Sequence, residues 1–306
     1  MKMEFLHEGL AHDPPEDLSV SAKMDEIVAR LQAHPEFLEA IQAYYQAKYA
    51  FNSGFALVMR LMGNREKSMV SGIVFAMWLE ATTSGRRQDC TVSAIAERAS
   101  RYGLMSPNTV KGMIAEFETY GLLERKAEPG NRKNKVVEVA PYVPAGVSKV
   151  HELSLNLLDR LLPGSRLERH QQQPEAFFRA HPEVIHALAT DAANRRAPAE
   201  ATLFYDVKFG SWIAEDLIMK VRSAERDGQF FVIDEFNRTA IGTKFMLSRS
   251  SAQRLFLAAE KAGMMKQVGR TLLISDAFVR QFTAFSAREI AAFEVGWNAS
   301  RAAGPA

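Results

Sequence analysis

Apolar residues recur along most of this chain at the three- and four-residue spacing of a helix packed on one side, so a mainly α fold is expected. Met24, Ile27, Val28 and Leu31 share one face of a helix over 22–32. His34-Pro35-Glu36 starts a second helix, since proline suits a first turn, and this one carries Phe37, Leu38, Ile41, Tyr44 and Tyr45. After Asn52-Ser53-Gly54, Phe55 to Met62 reads as a short apolar helix, and a longer helix over 64–83 holds Met69, Ile73, Met77 and Trp78. Thr91-Val92-Ser93 reads as an extended piece with Ser93 as cap, followed by a helix over 94–100.

The sharpest stripe follows. Ser106 is placed to cap a helix whose inward residues are Val110, Met113, Ile114 and Phe117, and Gly121 ends it. Leu122 to Lys126 and Val136 to Val139 alternate as two strands around the turn-rich tip Glu128 to Asn134. The pattern then recurs. Ser248 caps, Ala252, Leu255, Phe256 and Ala259 take the inward positions, and Gly263 stops a helix of equal length. Met264 to Val268 and Thr271 to Ile274 flank only Gly269-Arg270, a much shorter tip. Ala180-His181-Pro182-Glu183 echoes Ala33-His34-Pro35-Glu36 at close to the same separation, so a repeat covering most of each half is expected. Within it, a helix over 202–224 would match the one holding Trp78, and Asp234 would take the capping place of Ser93.

The expected organisation is an arm over 1–20, a first half over 21–141, a linker with one helix over 142–175, a second half over 176–283 and a closing helix and tail over 284–306. The linker is placed at Pro141 to Gly146 with a helix over 149–162 behind it. Residues 165–175 read as polar and exposed, and the closing helix spans 286–297.

Composition narrows function mainly by exclusion. The chain has 306 residues, 47% hydrophobic and 24% charged, and a formal charge of only +2, so any nucleic-acid argument has to come from local patches. The single cysteine, Cys90, excludes an internal disulfide and a cysteine-based zinc site, and reads as a small core residue. No signal-like N-terminus and no apolar run of membrane-spanning length are legible, which makes cytoplasmic the expectation. His181 and His186 are five apart and do not align for a metal, and there is no phosphate loop or nucleophile elbow. No catalytic residue, metal or cofactor is expected. Tyr44, Tyr45, Tyr49, Phe51, Phe55 and Trp78 are explained more cheaply as core than as an effector pocket.

The order helix, short strand, helix, turn, helix, hairpin resembles the winged helix-turn-helix of bacterial transcriptional regulators, nearest to the multiple-antibiotic-resistance regulator family. Ser106, Thr109, Val110, Ile114, Phe117, Gly121, Leu122 and Leu123, then Arg125-Lys126, carry the resemblance. Ser248, Ser251, Ala252, Phe256, Ala259, Gly263, Met264 and Met265 echo them. The first tip differs from the family's wing, in which Asp precedes arginines. The resemblance implies two tandem winged-helix domains in one chain, related by a pseudo-two-fold, each placing its last helix in a major groove.

The exposed positions support that expectation. Asn108, Thr109 and Lys111 lie off the stripe of the first helix, and Arg249, Ser250, Ser251, Gln253 and Arg254 off that of the second. Arginine and glutamine suit guanine and adenine edges. Arg125, Lys126, Arg132, Lys133 and Lys135 make the first hairpin basic against Glu128 alone, and Arg270 sits at the second tip. The expected function is a DNA-binding transcriptional regulator reading an imperfect palindrome in double-stranded DNA, and a homodimer and a small-molecule effector stay open. A tandem winged-helix replication initiator and a protein-interaction scaffold are the alternatives.

Overall fold

The computed structural model describes residues 17–54, 63–128, 131–222 and 225–302, and of residues 128, 131–134, 200 and 302 it describes the backbone alone. Most of the expected arm and the expected helix over 55–62 lie outside the described residues. Asp17 already caps α1 (Leu18–Ala33), accepting from the amides of Ser19 and Val20, so the arm ends earlier than expected. His34-Pro35-Glu36 forms the step into α2 (Phe37–Ser53), with the His34 ring accepting from the Glu36 amide at 3.2 Å.

The first helix–hairpin unit begins at α3 (Arg65–Thr83) and continues through a 3-10 turn (Arg87–Asp89), α4 (Val92–Arg101) and α5 (Pro107–Thr119). β1 (Leu123–Glu128) and β2 (Asn131–Val139) close it as an antiparallel hairpin. Thr91, not Ser93, caps α4: its side chain accepts from the Ala94 amide, while its backbone bridges to Val136. Thr91 is the last extended residue, so its oxygen is the one that reaches the free amides of the first turn. Val110, Ile114 and Phe117 are buried with Ile95, Ala99, Val70 and Ile73 in a core that Ile185, from the later part of the chain, also enters.

The segment after this unit differs from the expected linker. α6 (Val143–Leu161) starts inside Pro141–Gly146, with Pro144 in its first turn where a missing N–H costs nothing. The segment over 165–175 is not uniformly exposed either. α7 (Arg166–Gln172) buries Arg166 and His170, because Arg166 donates to Glu294 (2.8 Å) and Asp159 (2.9 Å). α8 (Ala176–Thr190) runs straight through Pro182, so the second His-Pro-Glu step is mid-helix and buries His181. The echo with His34 is one of letters, not of structure.

The expected helix over 202–224 is broken in two, α10 (Ala199–Tyr205) and α11 (Gly210–Lys220), behind the short α9 (Ala192–Arg195). At the break Phe209 is left-handed (φ 62°), with its amide on the Gly63 carbonyl at 2.7 Å, and Gly210 lies so close to Phe204 that a Cβ would not fit. β3 (Arg226–Asp227), β4 (Phe230–Ile233), α12 (Arg238–Lys244), α13 (Arg249–Lys261), β5 (Met265–Val268) and β6 (Thr271–Ser275) then repeat the first unit's order. The sheet runs β3-β4-β6-β5, so β4 does with four residues what Thr91 does with one bridge. Asn237 caps α12, and Asp234 accepts from the Thr271 hydroxyl instead.

α14 (Asp276–Ala302) starts ten residues before the expected closing helix, continuing directly from β6. At about 1.5 Å per residue it is about 40 Å long. It packs along α1 and α8. Residues of α1, α2, α6 and α8 share one continuous core with α10–α14 and β4–β6, so the chain does not divide its packing at residue 141. Arg288 of α14 pins this arrangement, donating to Asp191 (2.6 Å) and Asp25 (2.6 Å), while Asp191 also caps α9 and accepts from Ser21. The molecule is mainly α-helical with small antiparallel sheets, and no helix among the described residues is long and apolar enough to cross a membrane.

Candidate nucleic-acid interface

α5 and α13 are built by the same local chemistry. The Ser106 hydroxyl accepts from the Thr109 amide at 3.3 Å, and that of Ser248 from the Ser251 amide at 3.1 Å. At the other ends, Gly121 and Gly263 both take φ +73°, a left-handed value that glycine adopts without strain. The Leu122 and Met264 amides then donate back to Phe117 and Ala259, each at 3.0 Å. Caps and stops therefore fix which residues face out. Asn108 and Lys111 are exposed on α5, and Arg249, Ser250, Gln253 and Arg254 on α13.

Thr109 and Ser251 differ from these. The Thr109 hydroxyl lies 2.9 Å from that of Ser106, and the Ser251 hydroxyl accepts from Ser248 at 2.9 Å and from Arg254 at 3.5 Å. Both serve the cap, and Ser251 is only half-exposed, so neither is a free probe of a base edge.

The hairpin cations divide in the same way. Arg125 donates through Nε to Glu118 at 2.8 Å, and Lys126 pairs with Glu124 at 2.6 Å. Glu118 sits below the ordinary carboxylate range because Arg125 hydrogen-bonds to it. Arg270 pairs with Glu235. Lys135 is exposed on β2, and among the described residues it forms no ion pair, as is also true of Lys111 and Arg249. Arg132 and Lys133 fall on β2, and their side chains lie outside the described residues. The expected local excess of positive charge is thus partly neutralised by Glu118, Glu124 and Glu235.

Two clusters were not legible in the chain order. Lys48 of α2 and Glu215 of α11 form a buried ion pair at 2.7 Å, with Lys48 also 5.2 Å from the Trp212 ring centre. Burial pushes the Glu215 carboxyl up, and Lys48 offsets part of that. His151, His170 and His181 come together from α6, α7 and α8, with His151 Nε2 3.0 Å from His181 Nδ1. Burial holds His151 well below the ordinary histidine range, the neighbouring histidines adding to it, and His181 at about 4. Among the described residues no group of three or more such side chains is arranged to hold a metal ion, and burial disfavours the charged form of all three histidines. The i, i+3 and i, i+4 signals that reveal a helix face carry no information on pairs brought together across helices. Cys90 is buried, as expected, and burial pushes its thiol up to about 12.

Comparison with protein-family models, curated proteins and solved structures finds no match for this chain.

Proposed function

We propose that both units act as winged helices, and that the chain is a transcriptional regulator reading an imperfect palindrome in double-stranded DNA. The observation that carries this is the equivalence of α5 and α13. Both have a serine cap at the same distance from a left-handed glycine, Val110, Ile114 and Phe117 are buried at the positions of Ala252, Phe256 and Ala259, and both helices continue into an antiparallel hairpin. A helix so presented offers free amides at its N-terminus to a phosphate and its exposed side chains to a groove. Asn108 and Lys111 would read one half-site, and Ser250, Gln253, Arg249 and Arg254 the other. Lys135, and Arg125 and Lys126 after exchanging their glutamates for phosphate, would hold the backbone. The two half-sites differ because the two readers differ.

A gel shift with sheared genomic DNA from the source genome, at low and at physiological salt, tests this. Retarded fragments that share a common split motif are expected. Folded protein that retards nothing at either salt would sink the reading.

One observation favours a second reading for the second unit. Met246, Leu257 and Val268 are at least half exposed, and Leu257 lies one turn beyond Gln253 and Arg254 on the outer face of α13. That combination suits a protein-docking surface. Loss of DNA binding confined to Lys111→Ala, with Arg249→Ala and Arg254→Ala silent, would assign DNA to the first unit and a protein partner to the second.

A further inference from the structure

Beside the first unit, where α2, α6 and α8 meet it, lies a cavity of about 770 Å³. Its walls come from α2, α3, α6, α8, α11 and α14, and it reaches Phe117 on the inner side of α5. That size falls within the roughly 300–1,000 Å³ of small-molecule sites. The wall is mainly apolar, aliphatic side chains alternating with the rings of Tyr44, Phe75, Tyr205, Trp212 and Phe293.

The polar groups there are few, and most already have partners. Lys48 holds Glu215, Arg65 donates to the Asn194 carbonyl and lies over the Tyr205 ring, and Tyr205 donates to Glu289 at 3.4 Å. Lys48 and Arg65 thus stand beside two carboxylates, Glu215 and Glu289, and the third cation of the wall, Lys149, is paired with Glu152 at 2.6 Å. A charged ligand would upset that balance beside the buried Lys48–Glu215 pair, whereas a neutral one would not.

Two buried atoms are left over. Asn194 is 1% exposed and its Oδ1 accepts nothing, although its amide donates to Leu188. His181 is 6% exposed and its Nε2 also has no partner; the Gly72 backbone lies nearby without meeting hydrogen-bond geometry there. Buried polar atoms are nearly always satisfied, and an orphan acceptor in a cavity wall marks where a ligand donor would sit.

We propose that this cavity is a binding site for a neutral, predominantly apolar, ring-bearing small molecule with one hydrogen-bond donor, held by the apolar wall and by Asn194 Oδ1. The site stands whether or not the two units bind DNA. Its proximity to Phe117 places an occupant against the back of α5.

The test uses N-phenyl-1-naphthylamine, a neutral aromatic fluorophore with one N–H, and its sulfonated relative 8-anilino-1-naphthalenesulfonate as a charge control. Saturable binding of one neutral probe per chain is expected, with the sulfonate at least tenfold weaker. Gly146 lines the cavity and a Cβ there meets nothing within 4 Å, so Gly146→Trp should fill the space without a backbone clash. Ser68, exposed at the rim on α3, provides a second blocking variant, Ser68→Trp. Each variant that retains the wild-type circular dichroism and melting temperature should lose at least tenfold in probe affinity. Absence of saturable binding, equal affinity for the sulfonate, or full binding by a folded blocking variant would overturn the proposal.

Discussion

Replacing Arg249 and Arg254 together by alanine is the perturbation that most directly weighs the second unit's part in the proposed DNA binding. Both guanidinium groups are exposed on the first two turns of α13, and neither has a carboxylate partner among the described residues; Arg254 touches only the Ser251 hydroxyl at 3.5 Å. If both hold phosphates, the slope of log K against log salt should flatten by about 1.8, at ~0.9 per phosphate contact. If one reads a base edge instead, the slope should flatten by about 0.9 and discrimination at one base pair should fall by about 1–3 kcal/mol. Arg125→Ala is the internal comparison. Its guanidinium is bridged to Glu118 on side chains that are 40% and 30% exposed, and such pairs are worth only about 0–1 kcal/mol. Exchanging Glu118 for a phosphate therefore costs little but gains less than a free arginine does, so Arg125→Ala should weaken binding less than the double variant. Fluorescence anisotropy on a recovered fragment, between about 50 and 200 mM salt, measures all of these quantities. A double variant with the wild-type slope and the wild-type sequence preference would refute the placement of α13 in a groove.

Other expectations concern stability and reactivity. Phe256 is fully buried and meets Phe236 edge to face at 5.3 Å, so Phe256→Ala should cost about 3–5 kcal/mol in urea denaturation. Arg288→Met leaves the Asp191 carboxylate buried without its cation, and the same assay should show a loss of about 3–5 kcal/mol. His181 stays neutral in the folded chain down to about 4, whereas an unfolded histidine takes up its proton near about 6.5. Stability should therefore fall as pH drops between those values, by about 3 kcal/mol from His181 alone, and His181→Phe should remove that share of the pH dependence. With its thiol pushed up to about 12 and buried, Cys90 should react with a thiol reagent only after denaturant is added; rapid labelling of the native chain would contradict its burial.

The candidate interface was legible because every device that builds it is local. A serine reaches the amide three residues on, a glycine accepts φ +73° where the helix must stop, and the inward positions follow from the helical period. Asn108, Lys111, Gln253 and Arg254 were therefore placed on the outer face by sequence position alone. The engagement of Arg125 by Glu118 was less legible, since the two stand on different elements and meet only once the hairpin folds back on α5.

What the chain order by itself determined is the pair of helix–hairpin units, with the serine caps, glycine stops and exposed faces of α5 and α13, since each depends on residues within a few positions of one another. Only the tertiary structure decided how those units are joined. It draws α1 and α2 into the core of the second half and lets α8 run through Pro182. It also breaks the chain at Phe209, where the partner is the distant Gly63 carbonyl, and buries Lys48 against Glu215 and Arg288 against Asp191. Periodicity shows that a helix has an apolar side but carries no label for the surface that side will meet. That choice belongs to packing and charge pairing between residues far apart in sequence.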